Sequence, residues 1–259
     1  MRKFRLALAA ALALSGLAQA AGPSVPLQPA HANVGDRASL QRGARLFMNY
    51  CASCHSAQLN RYSRIAEDLG LTEEQVMQNL NFTGAKFGDG VKVAMDPADA
   101  TQWFGAAPPD LSLTARAKHG GADWIYTYLK SFYIDESRPI GWNNPVLANA
   151  SMPHVLWELQ GVQRAITEPK TNDASGNPQP CPKGEVKGAC LVRFELVQPG
   201  LMDEAEYDLA IRDITNFMVY MAEPAALKRE AYGPWVILFL VFFTFLAWLL
   251  KREYWRDLH

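Results

Sequence analysis

Cys51-Ala52-Ser53-Cys54-His55 is the stretch that decides how the rest of this chain is read. Two cysteines three apart, followed at once by a histidine, form the attachment pattern of a c-type haem. Each thiol can add across one vinyl group, giving two thioethers along one porphyrin edge. The adjacent imidazole then stands under the ring as the proximal iron ligand. A thioredoxin-type redox pair would use Cys51 and Cys54 but has no need of His55. A structural zinc site needs two further ligands, and the chain has no second Cys-x-x-Cys and no His-x-x-x-His. One covalently bound haem c, with Cys51, Cys54 and His55 holding it, is therefore expected.

Working outward, both ends of the chain are apolar. Residues 1–5 are basic, residues 6–17 almost wholly apolar, and Ala18-Gln19-Ala20 is a small-x-small cleavage pattern, so 1–20 reads as a secretory signal peptide. Near the other end, 235–250 carries no charge and has no polar stripe, long enough at about 1.5 Å per residue to cross hydrocarbon. Tyr232 and Trp235 mark one interface, and Trp248, Tyr254 and Trp255 the other. Lys251, Arg252 and Arg256 follow, so the positive-inside rule puts the tail in the cytoplasm. The expected organisation is a signal peptide (1–20), an exported haem domain (21–231), one transmembrane helix (232–251) and a cytoplasmic tail (252–259). In a bacterium that is a single-pass protein of the inner membrane with its haem domain on the periplasmic side.

The full chain has 25 Lys and Arg against 26 Asp and Glu. Three of the basic residues lie in 1–20 and three follow Leu250, where two of the acidic ones also lie, so the exported part is near −5. That charge argues against nucleic acid and is compatible with docking a basic protein. Glu67, Asp68, Glu73, Glu74, Asp96 and Asp99 are the acidic candidates for such a face.

Inside the domain, Leu40, Gly43, Ala44, Phe47 and Tyr50 fall on one face of a helix expected over 38–50, with Asp36 or Ser39 near its start. Thr72 caps a short helix over 72–79. Residues 81–100 read as loop. A short helix is expected over 110–118, ended by His119-Gly120-Gly121, and another over 123–132. Residues 167–188 form a polar insertion, and 191–197 alternates like a strand. Cys181 and Cys190, in an oxidising compartment, are expected to pair. The last soluble helix, over 203–222, buries Tyr207, Ala210, Ile211, Ile214, Phe217, Met218 and Met221. The fold class is mainly α: a cytochrome c-like haem domain with irregular insertions, plus one C-terminal transmembrane helix.

The second axial position on the iron decides between electron transfer and small-molecule chemistry. Met48 lies too near the attachment site to reach round the ring, and Met218 and Met221 read as core. Met77, Met95 and Met202 are less well placed than Met152, which ends a long irregular segment before the last helix. His154 and His119 are its rivals. A thioether would favour the ferrous state and raise the potential.

Three blocks carry a family resemblance. Residues 42–56 around Cys-Ala-Ser-Cys-His, Pro108-Pro109-Asp110-Leu111-Ser112 with Ala115-Arg116-Ala117-Lys118-His119-Gly120-Gly121, and Met152-Pro153-His154-Val155-Leu156-Trp157 resemble, in order, the blocks of cytochrome c1 in its bacterial form. The resemblance implies a subunit of the dimeric ubiquinol–cytochrome c reductase complex. Its partners would be cytochrome b, a Rieske iron–sulfur protein that supplies single electrons, and a soluble or tethered c-type cytochrome that accepts them. No independent catalysis is expected of this chain. By position Met152 matches the axial methionine, Pro108 and Pro109 match residues packed on the haem, and Arg116 and Lys118 match a basic pair beside the propionates. Relatives often have arginine at the second of these; lysine keeps the charge without the planar two-pronged geometry. Gly43 would let the first and last helices of a cytochrome c fold approach closely. The alternatives are a tethered cytochrome of another oxidase or reductase, and an open-site haem sensor or peroxidase.

Overall fold

The computed structural model describes residues 23–93, 95–173 and 175–256. The expected signal peptide and the last three residues of the tail lie outside them. The elements run α1 (Arg37–Tyr50), β1 (Ala57–Arg61), α2 (Tyr62–Leu69), α3 (Glu73–Asn79), β2 (Gly90–Val91), α4 (Pro97–Phe104), α5 (Thr114–Ala117), α6 (Gly121–Lys130), β3 (Tyr133–Ile134), β4 (Trp142–Asn143), α7 (Trp157–Gln160), β5 (Gly161–Glu168), β6 (Glu185–Val186), β7 (Ala189–Pro199), α8 (Glu204–Ala222) and α9 (Ala226–Tyr254). The chain divides into two compact units. One holds His31–Asp96, Pro108–Arg116 and the chain from Leu209 onward; the other holds the described residues up to Ala30, Pro97–Ala107 and Ala117–Asp208.

In the unit that carries the cysteine pair, Asp36 opens α1 by accepting the Ser39 N–H at 3.0 Å, meeting one of the donors a helix start leaves unpaired. Leu40, Gly43, Ala44 and Phe47 are buried as the spacing predicts; Tyr50 is only partly so. Gly43 faces α8 so closely that a methyl group there would sit 2.0 Å from the Asp213 carbonyl oxygen. Phe47 meets Phe217 with ring centroids 5.5 Å apart.

A polar network that sequence reading did not anticipate lies at this crossing. The buried Asp213 carboxylate accepts from Ser39 Oγ at 2.6 Å and from Arg42 Nε and Nη2 at 2.6 and 2.9 Å. Asn216 donates to Ser39 Oγ at 2.7 Å and accepts the Asn33 N–H at 2.9 Å. A buried carboxylate is costly unless paired and hydrogen-bonded, and here each of its oxygens is used. Nearby, Asp68 takes Arg64 Nε at 2.5 Å and the Tyr220 hydroxyl at 3.0 Å. Its side chain is 6% exposed, so it is withdrawn from the expected acidic docking face.

The region 57–104 departs most from expectation. β1 and α2 have no counterpart among the expected elements, and residues 81–100, expected as loop, contain β2, paired antiparallel with β1, and the start of α4. The apolar spacing of α2 is helical, with Tyr62, Ile65, Ala66 and Leu69 buried, and Gly70 stops it in the left-handed conformation (φ 66°). Pro97 stands at the first position of α4, where proline is tolerated because its missing N–H would be unpaired anyway. Thr72 and Gln75 close a full capping box on α3.

The helix expected over 110–118 shrinks to α5; in the second unit, Gly120 serves as the N-cap of α6 rather than only as an end (φ 88°). A methyl group on Gly120 would lie 2.4 Å from Leu27 Cδ1. The N-terminal segment is tied to α6 by Gln28 N–H to Thr127 Oγ1 and Ala30 N–H to Asp123 Oδ1, both 2.8 Å.

The expected strand is β7, longer than read. It pairs antiparallel with β5 from Gly161↔Pro199 to Glu168↔Cys190, and with β6 on its other side. Part of the region taken as an irregular insertion is therefore sheet. Cys181 and Cys190 are bonded, nine residues apart. Closing so short a loop contributes about 2.5–3 kcal/mol through the unfolded chain. Cys181→Ser with Cys190→Ser should lower the unfolding free energy of the detergent-solubilised protein by about that amount in urea titrations. An unchanged midpoint would mean that the ribbon is fully specified by its backbone pairing.

Asp135 joins the β3–β4 turn to the β6–β7 turn. Burial pushes its carboxyl up, but hydrogen bonds from Lys187 Nζ, Ser137 and Asn143 outweigh that and hold it well below the usual carboxylate range. A group depressed in this way adds stability above its unfolded value, near about 3.9, and loses it as the pH falls further. The urea midpoint should drop between about pH 5 and about pH 2.5. Asp135→Asn should blunt that drop; an undiminished drop would place the acid sensitivity elsewhere.

α9 begins at Ala226, earlier than the expected span, and contains Pro234 within it. Ala231–Tyr254, with mean hydropathy 2.2 and no part of its apolar window buried, is long and apolar enough to cross a membrane. Lys251 lies over the Trp255 ring and Arg252 over the Trp248 ring, at 5.8 and 5.7 Å.

Candidate haem site

α1 ends at Tyr50 with Cys51 as its C-cap, and hydrogen-bonded turns carry the chain on through the cysteine pair. Cys51 and Ala52 donate to Phe47 O at 2.8 and 3.0 Å, and Cys54 and His55 donate to Cys51 O at 3.1 and 2.8 Å. These turns keep both thiols and the imidazole within one short stretch of hydrogen-bonded chain. Cys51 and Cys54 are free thiols, not bonded to each other. Burial, with the neighbouring Cys54, pushes the Cys51 thiol up to about 12. A catalytic redox pair needs the opposite shift, toward a ready thiolate. Among the described residues no group of three or more His, Cys, Asp and Glu converges as a metal site.

His55 is oriented by the second block. Its Nδ1 lies 2.8 Å from Pro109 O. A carbonyl can only accept, so Nδ1 carries the proton and Nε2 is left with its lone pair, the arrangement that metal-binding histidines use. Burial pushes the imidazole below its ordinary value, against the opposing pull of the Pro109 carbonyl and Asp110.

Three further bonds lace the two segments together, and a fourth closes the Asp110–Ser112 turn. Leu111 N–H donates to Ser56 O (2.8 Å), Gln58 N–H to Asp110 Oδ2 (2.8 Å), Leu59 N–H to Ser112 Oγ (3.1 Å) and Ser112 N–H to Asp110 Oδ1 (2.8 Å). Ser56, Asp110 and Ser112 stand in the quoted blocks, but the sequence assigns none of them a role. Their signal was the Asp-x-Ser turn after two prolines, but its partner strand is remote in the chain.

Of the other expected site residues, Pro108 and Arg116 belong to this same unit. Pro108 is partly buried and Pro109 exposed. Arg116 is exposed, with Nη1 3.9 Å from Glu223. Lys118 and Met152 belong to the second unit. Lys118 Nζ stands 4.8 Å over the Trp124 ring. Met152 is partly buried, and its Sδ accepts from the Tyr128 hydroxyl at 3.5 Å. Its rival His154 is 2% exposed, stacked flat on Phe132 (5.1 Å, 7°) and edge-on to Trp142. His119 is exposed. Met48, Met218 and Met221 are buried core, as expected.

The Cytochrome C1 family model matches residues 31–258. The chain is 48% identical over 259 residues to cytochrome c1 of Allochromatium vinosum, with all of each chain covered. It is 42% identical, again over the full length of both, to a protein of Nitrosomonas europaea named ammonia monooxygenase gamma subunit. Against cytochrome c1 of Rhodospirillum rubrum it is 26% identical, over 86% of this chain and 82% of that one. The chain belongs to the cytochrome c1 family.

As a member of the cytochrome c1 family it is a c-type cytochrome of a cytochrome bc1 complex and carries one covalent haem c. The donor set fits that group: two unlinked thiols and an imidazole with its proton fixed on Nδ1 lie on one turn.

Proposed function

We propose that this chain relays single electrons from a Rieske iron–sulfur protein to a soluble or tethered c-type cytochrome. In this reading Cys51 and Cys54 form the thioethers, His55 Nε2 and Met152 Sδ are the axial ligands, and Pro108, Pro109, Arg116 and Lys118 border the ring and its propionates. The observation that carries it is the His55–Pro109 hydrogen bond beside two free thiols. It presents a neutral imidazole with one nitrogen committed and the other open.

The haem, when bound, supplies the one-electron chemistry. The protein's part is rigidity and placement. The lacing of Ser56–Leu59 to Asp110–Ser112 keeps the imidazole from turning between redox states, and a filled sixth position keeps small molecules off the iron. The domain organisation proposed is a signal peptide over 1–20, a periplasmic haem domain, and α9 as the single anchor in a bacterial inner membrane. Lys251, Arg252 and Arg256 hold the tail on the cytoplasmic side. The anchor keeps the domain beside its partners in a dimeric complex, and a net negative domain speeds encounter with a basic acceptor in a salt-dependent way.

Gentle solubilisation followed by affinity capture of this chain tests the reading. Cytochrome b, seen by its haem spectrum, and a Rieske protein, seen by its paramagnetic resonance, should come with it. Capture of the haem-loaded chain with neither would sink the proposal. The relative from Nitrosomonas europaea favours a second reading, a tethered cytochrome serving a different oxidoreductase; monooxygenase polypeptides would then be captured in place of cytochrome b.

A further inference from the structure

We propose that Tyr128 is a positioning residue for Met152, its hydroxyl donating to Sδ and thereby raising the haem's reduction potential. The inference rests on the reading of Met152 as the axial ligand. The hydroxyl oxygen is 3.5 Å from Sδ, a normal approach for the large, weakly accepting thioether sulfur.

The geometry around this bond is fixed from both sides. The Tyr128 ring stacks on Trp124 (4.8 Å, 12°) and meets Phe132 edge-on (4.9 Å, 68°), leaving the residue 7% exposed. The segment leading to Met152 is braced against the same helix. Asn144, fully buried, donates to the Tyr128 carbonyl at 2.7 Å and accepts the Val146 N–H at 2.9 Å. Asn143 accepts the N–H groups of Asn144 and Asn149, both at 2.8 Å, while donating to Asp135. Asn149 is held in the left-handed region (φ 62°), with its carbonyl accepting from Arg138 at 2.9 Å. The donor and the sulfur are thus carried on two pieces of backbone that share buried links.

A sulfur lone pair drawn toward a proton donates less to iron. The ferric state depends on that donation more than the ferrous state, so the hydrogen bond favours reduction. Nothing in the periodicity of α6 marks Tyr128 for this role, because there it reads as one more core aromatic beside Ile125 and Phe132.

Tyr128→Phe in the haem-loaded full chain isolates the hydroxyl, since the ring and its stacks remain. The oxidised variant should keep its sulfur-to-iron absorption band. At a fixed ambient potential its ferrous-to-ferric ratio should fall about threefold, or roughly 28 mV at about 59 mV per tenfold change. Tyr126→Phe, which removes a hydroxyl bonded to Asp208 instead, should leave the ratio unchanged. An intact band with an unchanged ratio in Tyr128→Phe, or an equal fall in Tyr126→Phe, overturns the role of Tyr128 while leaving the ligation standing. Absence of the band from the unsubstituted protein overturns the ligation itself.

Discussion

Replacing Met152 by leucine will abolish the sulfur-to-iron band of the oxidised protein and open the reduced iron to carbon monoxide. Leucine fills nearly the same volume, so packing changes little, but it has no lone pair to offer. A thioether ligand raises the potential of a c-type haem. Its loss should lower the midpoint by more than about 60 mV, beyond a tenfold change in the one-electron equilibrium. The effect should exceed that of Tyr128→Phe, because the ligand itself goes rather than one influence on it. Survival of the band in Met152→Leu would assign the sulfur elsewhere, and Met95 and Met202 would be substituted next. Rapid carbon monoxide binding by the unsubstituted reduced protein would show that the sixth position is open already.

Gly43→Ala should have the largest effect on folding. The added methyl would lie 2.0 Å from Asp213 O and 2.9 Å from Phe217 Cβ. Neither neighbour is the tip of a flexible side chain, so the helices themselves must part. Separating α1 from α8 also stretches the bonds that satisfy Asp213, and a buried carboxylate that loses its partners is costly. Overpacking alone typically costs about 1–3 kcal/mol; with the carboxylate strained as well, about 3 kcal/mol or more is expected, a large share of ordinary domain stability. Yield of haem-loaded protein and the urea midpoint would both fall. Gly88→Ala is the control, because nothing lies within 4 Å of a methyl group there, and it should change stability by less than about 0.5 kcal/mol. Equal losses in the two variants would remove the close crossing as the explanation.

What could be read from the chain was what local spacing encodes. The Asp36 start of α1, the Thr72 cap and the apolar stripe of α8 depend on residues near one another in the chain, and each stands where it is expected. α4 lies in a stretch whose Gly, Pro and Asp content suggests loop, although Pro97 at a first helical position and Asp99 in the first turn are helix-start signals. β5 was lost for a deeper reason. Gly161–Glu168 becomes a strand by pairing with residues some thirty positions away, and its burial alternates only over the first few residues. The Asp213 network and the Tyr128–Met152 bond are harder still. Each is made by side chains that only the folded topology brings together, so residue type and spacing carry no trace of them.

The four cysteines of this chain must meet two opposite fates. Cys181 and Cys190 are oxidised, whereas Cys51 and Cys54 have to arrive at their haem still reduced. A scrambled bond between the two sets would cost the protein both features at once. The arrangement seen here favours correct sorting: the bonded cysteines are nine positions apart, Cys181 just before β6 and Cys190 on β7, whereas the haem pair belongs to a different compact unit. Short-range closure makes the right oxidation a local event that draws on neither Cys51 nor Cys54.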